Sequence, residues 1–213
     1  MVAASPSPLL VPIARLEGRV REQFRAILHQ SFPPNERESL ESIDRRLADN
    51  ATLHGAFIGE DLVGFALILA LDVDGVVLLD YLAVADEHRN RGLGRALLEY
   101  LRGLYGAQGD AGGILLEVES DQWGTDEERY LRSRRIAFYR RNGAVSLPLA
   151  GHLEMPGTDG TSLIYTKLLW LPLADRPPVG ERLRACLLSF LRYCYGLQEG
   201  DPRTEAALSL LPD

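Results

Sequence analysis

Residues 80–98 read Asp-Tyr-Leu-Ala-Val-Ala-Asp-Glu-His-Arg-Asn-Arg-Gly-Leu-Gly-Arg-Ala-Leu-Leu: an apolar strand, a short polar loop, then Arg89-Asn90-Arg91-Gly92-Leu93-Gly94 opening an amphipathic helix. This order suits a pyrophosphate. The first-turn N–H groups of a helix have no intrahelical partner and sit at the positive end of the helix dipole, so an anion is favoured there. Glycine at 92 and 94 removes side chains that would block the approach, and Arg89, Arg91 and Arg95 add charge. Further on, Glu117 and Glu119 share one face of the strand Ile114–Glu119 with Leu115, while Leu116 and Val118 take the other. Burial raises a carboxyl pKa toward the range a general base needs, which ranks Glu117 first and Glu119 second. The competing reading of Glu119, a strand end in solvent, has even weight. Asp80 shares a face with Leu82 and Val84, where a carboxylate can hold an ammonium or relay its proton through water.

These residues need a scaffold, and apolar spacing predicts one. Leu9–Leu16 reads as a strand, Arg19–Gln30 as a helix with Val20, Phe24 and Ile27/Leu28 on one face, and Ser39–Ala48 as a second helix after the Pro33-Pro34 loop. Strands Thr52–Ile58 and Leu62–Leu71 flank the turn Gly59-Glu60-Asp61, and Val76–Val84 follows. The helix Leu93–Tyr105 carries a stripe of Leu93, Leu97, Leu101 and Leu104, with Gly106 as its C-cap. After Ile114–Glu119 come a helix over Glu127–Arg141, ended by Asn142-Gly143, and a strand pair, Val145–Leu153 with Leu163–Leu171. Beyond Pro172 the pattern predicts a helix over Glu181–Tyr195 and a short helical piece over Arg203–Leu211. The expected class is α+β: a mixed, mostly antiparallel central sheet flanked by helices. Residues 1–171 form the domain, and 172–213 a helical extension packed on it.

Composition narrows the ligand. The 213 residues are 46% hydrophobic with a net charge of −7, which disfavours nucleic acid, since phosphate backbones need a basic field. The apolar run Val63–Leu71 is too short to span a bilayer, and the N-terminus lacks a basic, signal-like region, so a cytoplasmic protein is expected. Arginines crowd 129–141, while acidic residues gather over Asp110–Asp121 and Asp126–Glu128; a basic cofactor site beside an acidic acceptor site has that pattern, as do two solvated helix faces. Cys186 and Cys194 lie eight apart in one helix, about 12 Å along its axis, and cannot bridge each other. His29, His54, His88 and His152 have no metal-type spacing, and no metal is expected.

A dinucleotide-binding turn is the first alternative, but the third glycine is missing, polar residues separate strand from glycines, and the preceding strands form hairpins. A Walker pattern fails because no lysine follows. Arg89-x-x-Gly92-x-Gly94 instead resembles the central motif of the GNAT superfamily of acyl-CoA-dependent N-acyltransferases. The likeness runs from about Gly55 to Gly143, where Phe138-Tyr139-Arg140-Arg141-Asn142-Gly143 is similar to the family's Phe-Tyr-x-x-x-Gly block. Asp80-Tyr81-Leu82-Ala83-Val84 with Leu116-Glu117-Val118-Glu119 also looks like a bacterial subgroup of unassigned acceptors.

The resemblance implies that main chain at Leu82, Ala83 and Val84 pairs with the pantetheine arm. It implies that amides over Arg91, Gly92, Leu93, Gly94, Arg95 and Ala96, beside Arg89 and Asn90, bind the pyrophosphate of acetyl-CoA. Tyr139 falls where the family places its general acid; without the likeness it reads as a core aromatic. Asp80, Glu119, Tyr81 and Glu36, the last in the Pro33-Pro34 loop, become acceptor-site candidates, and Trp123 a cover for them. Arg132 stands where many members have Asn, and either contacts a CoA phosphate or is simply exposed; the aromatic usual after the helix-ending glycine is Ala144. A cationic neighbour such as Arg132 or Arg135 lowers a phenol's pKa. The expected activity is transfer of acetyl from acetyl-CoA to a primary amine of a small molecule or peptide, by direct attack in a ternary complex, in a monomer or homodimer. A CoA-binding regulatory or interaction module without turnover is the alternative.

Overall fold

The computed structural model describes residues 7–107, 112–174 and 176–212; Asp110, counted in the acidic stretch, lies outside them. The described residues form two compact units. One holds the residues up to Leu69 together with Asp80–Gly103, the other Ala70–Leu79 together with the residues from Leu104 onward.

In the first unit, β1 (Leu9–Pro12) lies antiparallel to β2 (Ala51–Ile58), and β2 antiparallel to β3 (Asp61–Ala70) across a hairpin whose Gly59 takes a left-handed φ of 62°. The latter half of β4 (Val76–Val84) follows β3 in the hydrogen-bonding order. β3 is buried on both faces, as its unbroken apolar run requires. Helix α1 (Gly18–Ser31) buries Phe24, Ile27 and Leu28, with the Phe24 ring 4.4 Å from Phe65. Helix α2 (Leu40–Asp49) starts at Ser39, whose side chain accepts the Ser42 N–H. Gly64 of β3 permits the close approach of β4: a Cβ there would stand 2.9 Å from the Ala83 carbonyl oxygen and 3.5 Å from Leu97. Leu97 belongs to α3 (Leu93–Gly106), whose Leu93 and Leu97 bury against Ala56 and Val63, with Leu82 and Val84 packed on the same cluster.

In the second unit, Val76–Leu79 of β4 pairs in parallel with β5 (Gly113–Glu119), and β5 pairs antiparallel with β8 (Leu163–Pro172). The fully buried Trp170 indole lies where a Cβ on Gly113 would be 2.3 Å from its ring. Helix α4 (Asp126–Arg141) opens with a capping box between Thr125 and Glu128 and closes at Asn142 and Gly143. Helices α5 (Gly180–Tyr195) and α6 (Pro202–Leu208) belong to this unit.

Three sequence expectations shift. The predicted strand Val145–Leu153 is two short ones, β6 (Val145–Ser146) and β7 (Leu153–Pro156), which pair with different stretches of β8. Pro148 has no N–H for a ladder, so the chain leaves β8 after the Leu147 N–H bonds Leu168. Leu104 is exposed rather than part of the α3 stripe, and Gly106 is still helical. β1 stops at Pro12 instead of reaching Leu16; its last contact with β2 is the Ile13 N–H to the Leu53 carbonyl, 2.7 Å.

Candidate active site

The loop between β4 and α3 is shaped by backbone rather than by side chains. A single 3-10 turn over Asp86–His88 leads into Asn90 at φ 61° and Gly92 at φ 82°. Left-handed residues in such a turn direct successive N–H groups toward one side, the geometry of an anion nest. The Ala96 N–H bonds the Gly92 carbonyl at 2.9 Å, which makes Gly92 the cap and leaves the amides of Leu93, Gly94 and Arg95 as first-turn donors. A Cβ on Gly92 would meet nothing within 4 Å, so the space beside the loop at that residue is open. Arg89 braces the loop: Nε donates to the Val84 carbonyl at 3.0 Å, and the guanidinium reaches Asp86 at 2.7 Å and Ser31 at 3.0 Å. Arg95 pairs with Glu99 at 2.7 Å, while Arg91 is exposed. The β4–β5 ladder ends at Leu79–Leu116, so Leu82, Ala83 and Val84 lie beyond it.

At the base of that strand, the first unit brings Asp80, Tyr81 and Glu36 together with two residues the sequence reading passed over. Arg46 of α2 bonds the Asp80 carboxylate at 3.0 Å and also the Glu38 carboxylate, all three side chains being largely buried. Burial pushes the Asp80 carboxyl up to about 6; the Arg46 charge pulls it down and the Glu38 charge adds to the rise. The Tyr81 hydroxyl accepts the Glu38 N–H and donates to the Glu36 carbonyl, each at 3.1 Å, and its ring meets Phe32 edge-on. Burial, followed by the Asp80 charge, drives that phenol far above its ordinary range, so Tyr81 stays protonated and ties the Pro33-Pro34 loop to β4. His54, also in this unit, is buried with Tyr100 Oη 3.4 Å from Nδ1, and burial lowers its pKa.

In the second unit Glu117 and Glu119 do share a face, and each has a distinct partner. Glu119 is held by Arg132 through Nη2 at 2.8 Å and Nε at 2.9 Å, with Arg135 at 4.0 Å. Arg132 also donates to the Trp123 carbonyl at 2.6 Å. Gly124, at φ 95°, makes room for it, since a Cβ there would be 2.7 Å from Nη1. Trp123 stacks on Tyr165 at 4.2 Å and 14°. Glu117 accepts a 2.7 Å hydrogen bond from the Tyr195 hydroxyl of α5. Tyr139 sits on α4 with its ring edge-on to Phe138. Burial raises its phenol above the ordinary value and the Arg135 charge offsets part of the rise; the lowering expected from a cationic neighbour is present but is not the larger effect.

The comparisons agree with this geometry. A model of the acetyltransferase (GNAT) family matches residues 21–144. The chain belongs to the GNAT acetyltransferase family. Its mixed fold, a mostly antiparallel sheet with flanking helices, is that of GNAT structures. A GNAT-family protein from Bacteroides thetaiotaomicron is 21% identical with a TM-score of 0.70, over 89% of this chain and 99% of that one. The ribosomal-protein-S18-alanine N-acetyltransferase of Escherichia coli is 20% identical, TM-score 0.58, over 82% and 97%. A GNAT acetyltransferase from Elizabethkingia anophelis, solved with acetyl-CoA bound, is 15% identical, TM-score 0.55, over 78% and 98%. A comparison with curated proteins finds no match. The family segment contains the glycine loop, both strand carboxylates and Tyr139, but ends before α5 and Tyr195.

Among the described residues, no three His, Cys, Asp or Glu side chains are grouped to hold a metal, and no helix is long and apolar enough to cross a membrane. Glu38 and Arg46 escaped the sequence reading because one precedes a helix cap and the other looks like an ordinary surface arginine. Tyr195 carried no signal at all, since its partner Glu117 lies 78 positions away in the chain.

Proposed function

We propose that this GNAT-family protein is an N-acetyltransferase that moves acetyl from acetyl-CoA to a primary amine of a small molecule or peptide by direct attack in a ternary complex. The observation carrying the reading is the Arg89–Gly94 loop within the family segment: left-handed backbone at Asn90 and Gly92, open space over Gly92, and the unpaired first-turn amides of α3. Those donors suit the pyrophosphate of CoA, and the main chain of Leu82–Val84 is the proposed partner of the pantetheine arm. The amine nitrogen attacks the thioester carbon, and the C–S bond breaks as the tetrahedral intermediate collapses. Glu117 takes the proton from nitrogen, and Tyr139, kept protonated by its burial, gives one to the leaving sulfur. Solvent then restores both groups. Asp80, Glu119, Tyr81 and Glu36 are the proposed acceptor-side residues, the three carboxyl groups among them favouring a cationic amine, and the protein is proposed to work in the cytoplasm as a monomer or homodimer.

The test is a panel of primary amines incubated with acetyl-CoA and read by release of free thiol. Turnover is expected with a cationic amine, falling about 100-fold in Tyr139→Phe and in Glu117→Gln. Tight acetyl-CoA binding without turnover across the panel refutes the enzyme in favour of a CoA-binding module.

A further inference from the structure

Helix α5 lies outside the family segment, yet its last residue reaches a strand carboxylate inside that segment. The helix is seated by a face of Leu183, Cys186, Leu187, Phe190 and Leu191, each no more than 1% exposed. Its last two turns are then fixed by polar contacts with Asp72: the Asp72 N–H donates to Ser189 Oγ at 2.9 Å, Arg192 bonds the carboxylate at 2.9 Å, and the Tyr193 hydroxyl bonds it at 2.7 Å. Contacts from three residues of these turns define both the rotation and the height of the helix end. Gly196, at φ 65°, stops the helix there, its N–H returning to the Arg192 carbonyl at 3.0 Å. Tyr195 is therefore delivered at a set position, its ring edge-on to buried Phe190 with centroids 5.7 Å apart, and its hydroxyl 2.7 Å from Glu117 Oε1.

We propose that Tyr195 is a positioning residue for Glu117, so that the C-terminal helix sets the orientation and proton affinity of the carboxylate that accepts the amine proton. The inference rests on the reading of Glu117 as base. A phenol donating to a carboxylate favours its ionised form and fixes the plane of its oxygens. Glu119, on the same strand face, is paired with Arg132 and Arg135 of α4, and Lys167 of β8 with Asp121.

The experiment uses full-length protein carrying 13C-labelled Glu carboxyls, with the Glu117 signal assigned from Glu117→Gln, titrated as wild type and as Tyr195→Phe. The Phe variant keeps the ring and its contact with Phe190, so the fold, followed by circular dichroism, should be unchanged. Loss of the donor should move the Glu117 titration up by about half to one pH unit. With the best amine of the panel, the acid limb of kcat/KM should move by the same amount while the KM for acetyl-CoA stays constant. An unchanged Glu117 titration in a folded Tyr195→Phe protein overturns the positioning role, whatever Glu117 does. Full activity in Glu117→Gln instead overturns the base assignment, and the titration still reports on Tyr195 separately. If Tyr195→Phe lowers activity equally in wild-type and Glu117→Gln backgrounds, Tyr195 acts through another group and the proposal fails.

Discussion

Replacing Asp80 by Asn tests whether burial or its arginine partner governs the Asp80–Arg46–Glu38 cluster. The carboxyl rises from 3.8 to about 6 because desolvation outweighs the Arg46 contact. A rise of roughly two units, at about 1.4 kcal/mol each, amounts to about 3 kcal/mol of pH-dependent stability. The sign follows from the folded state's higher proton affinity. Asp80's contribution is fully present below the unfolded value near 3.8 and is lost as pH rises through about 6. Asn does not titrate, so wild type should lose about 2 kcal/mol relative to Asp80→Asn between pH 4 and pH 7, the rest of the effect lying below pH 4. Urea unfolding of both proteins at four pH values and constant ionic strength, followed by far-UV circular dichroism with equal m-values, measures the difference. Asp44 and Asp121, whose pKa values are lowered by Arg21 and Lys167, titrate in the opposite sense but are common to both proteins and cancel. A flat difference, or wild type gaining as pH rises, would mean that Arg46 outweighs burial and would refute the reasoning.

Other outcomes follow from close approaches and open space. Gly92→Val adds a side chain where nothing lies within 4 Å, so its stability cost should be only the left-handed strain, about 1–2 kcal/mol, while calorimetry should show at least a tenfold loss of acetyl-CoA affinity. Unchanged affinity would move the phosphate site elsewhere. Gly113→Ala places a Cβ 2.3 Å from the Trp170 ring and should cost about 1–3 kcal/mol by overpacking, with altered Trp fluorescence. Arg132→Met leaves the largely buried Glu119 without its bidentate partner, and a loss of about 3–5 kcal/mol in chemical unfolding is expected. A second change, Glu119→Gln, should recover much of it.

The sequence revealed backbone devices better than side-chain partnerships. The Arg89–Gly94 loop could be read because glycines at a helix start have few other uses, and the α4 terminus because Asn142-Gly143 is a local stop signal. The split of Val145–Leu153 hung on Pro148, whose effect depends on where β8 offers its carbonyls, and that register is a tertiary fact. Arg132 was legible as a charge but not as the clamp on Glu119, thirteen residues away, because the 120–125 turn that folds one toward the other has no periodic pattern. Glu38 and Arg46 were hidden for a related reason: a buried ion cluster is assembled from residues that individually look solvent-exposed.

That turn carries an evolutionary consequence. Glu119, Gly124 and Arg132 are mutually dependent: the arginine occupies the space a Cβ at 124 would fill, and the carboxylate is buried with the arginine as its counter-ion. A descendant that took Asn at 132, the residue many GNAT proteins have there, would favour a neutral residue at 119, while the left-handed φ of 95° and the Glu128 carboxylate, 2.7 Å from where a Cβ would stand, would still hold position 124 to glycine. In a set of homologues columns 119 and 132 should therefore vary together while 124 stays glycine, and that covariation would mark the branch that shares this chain's version of the site.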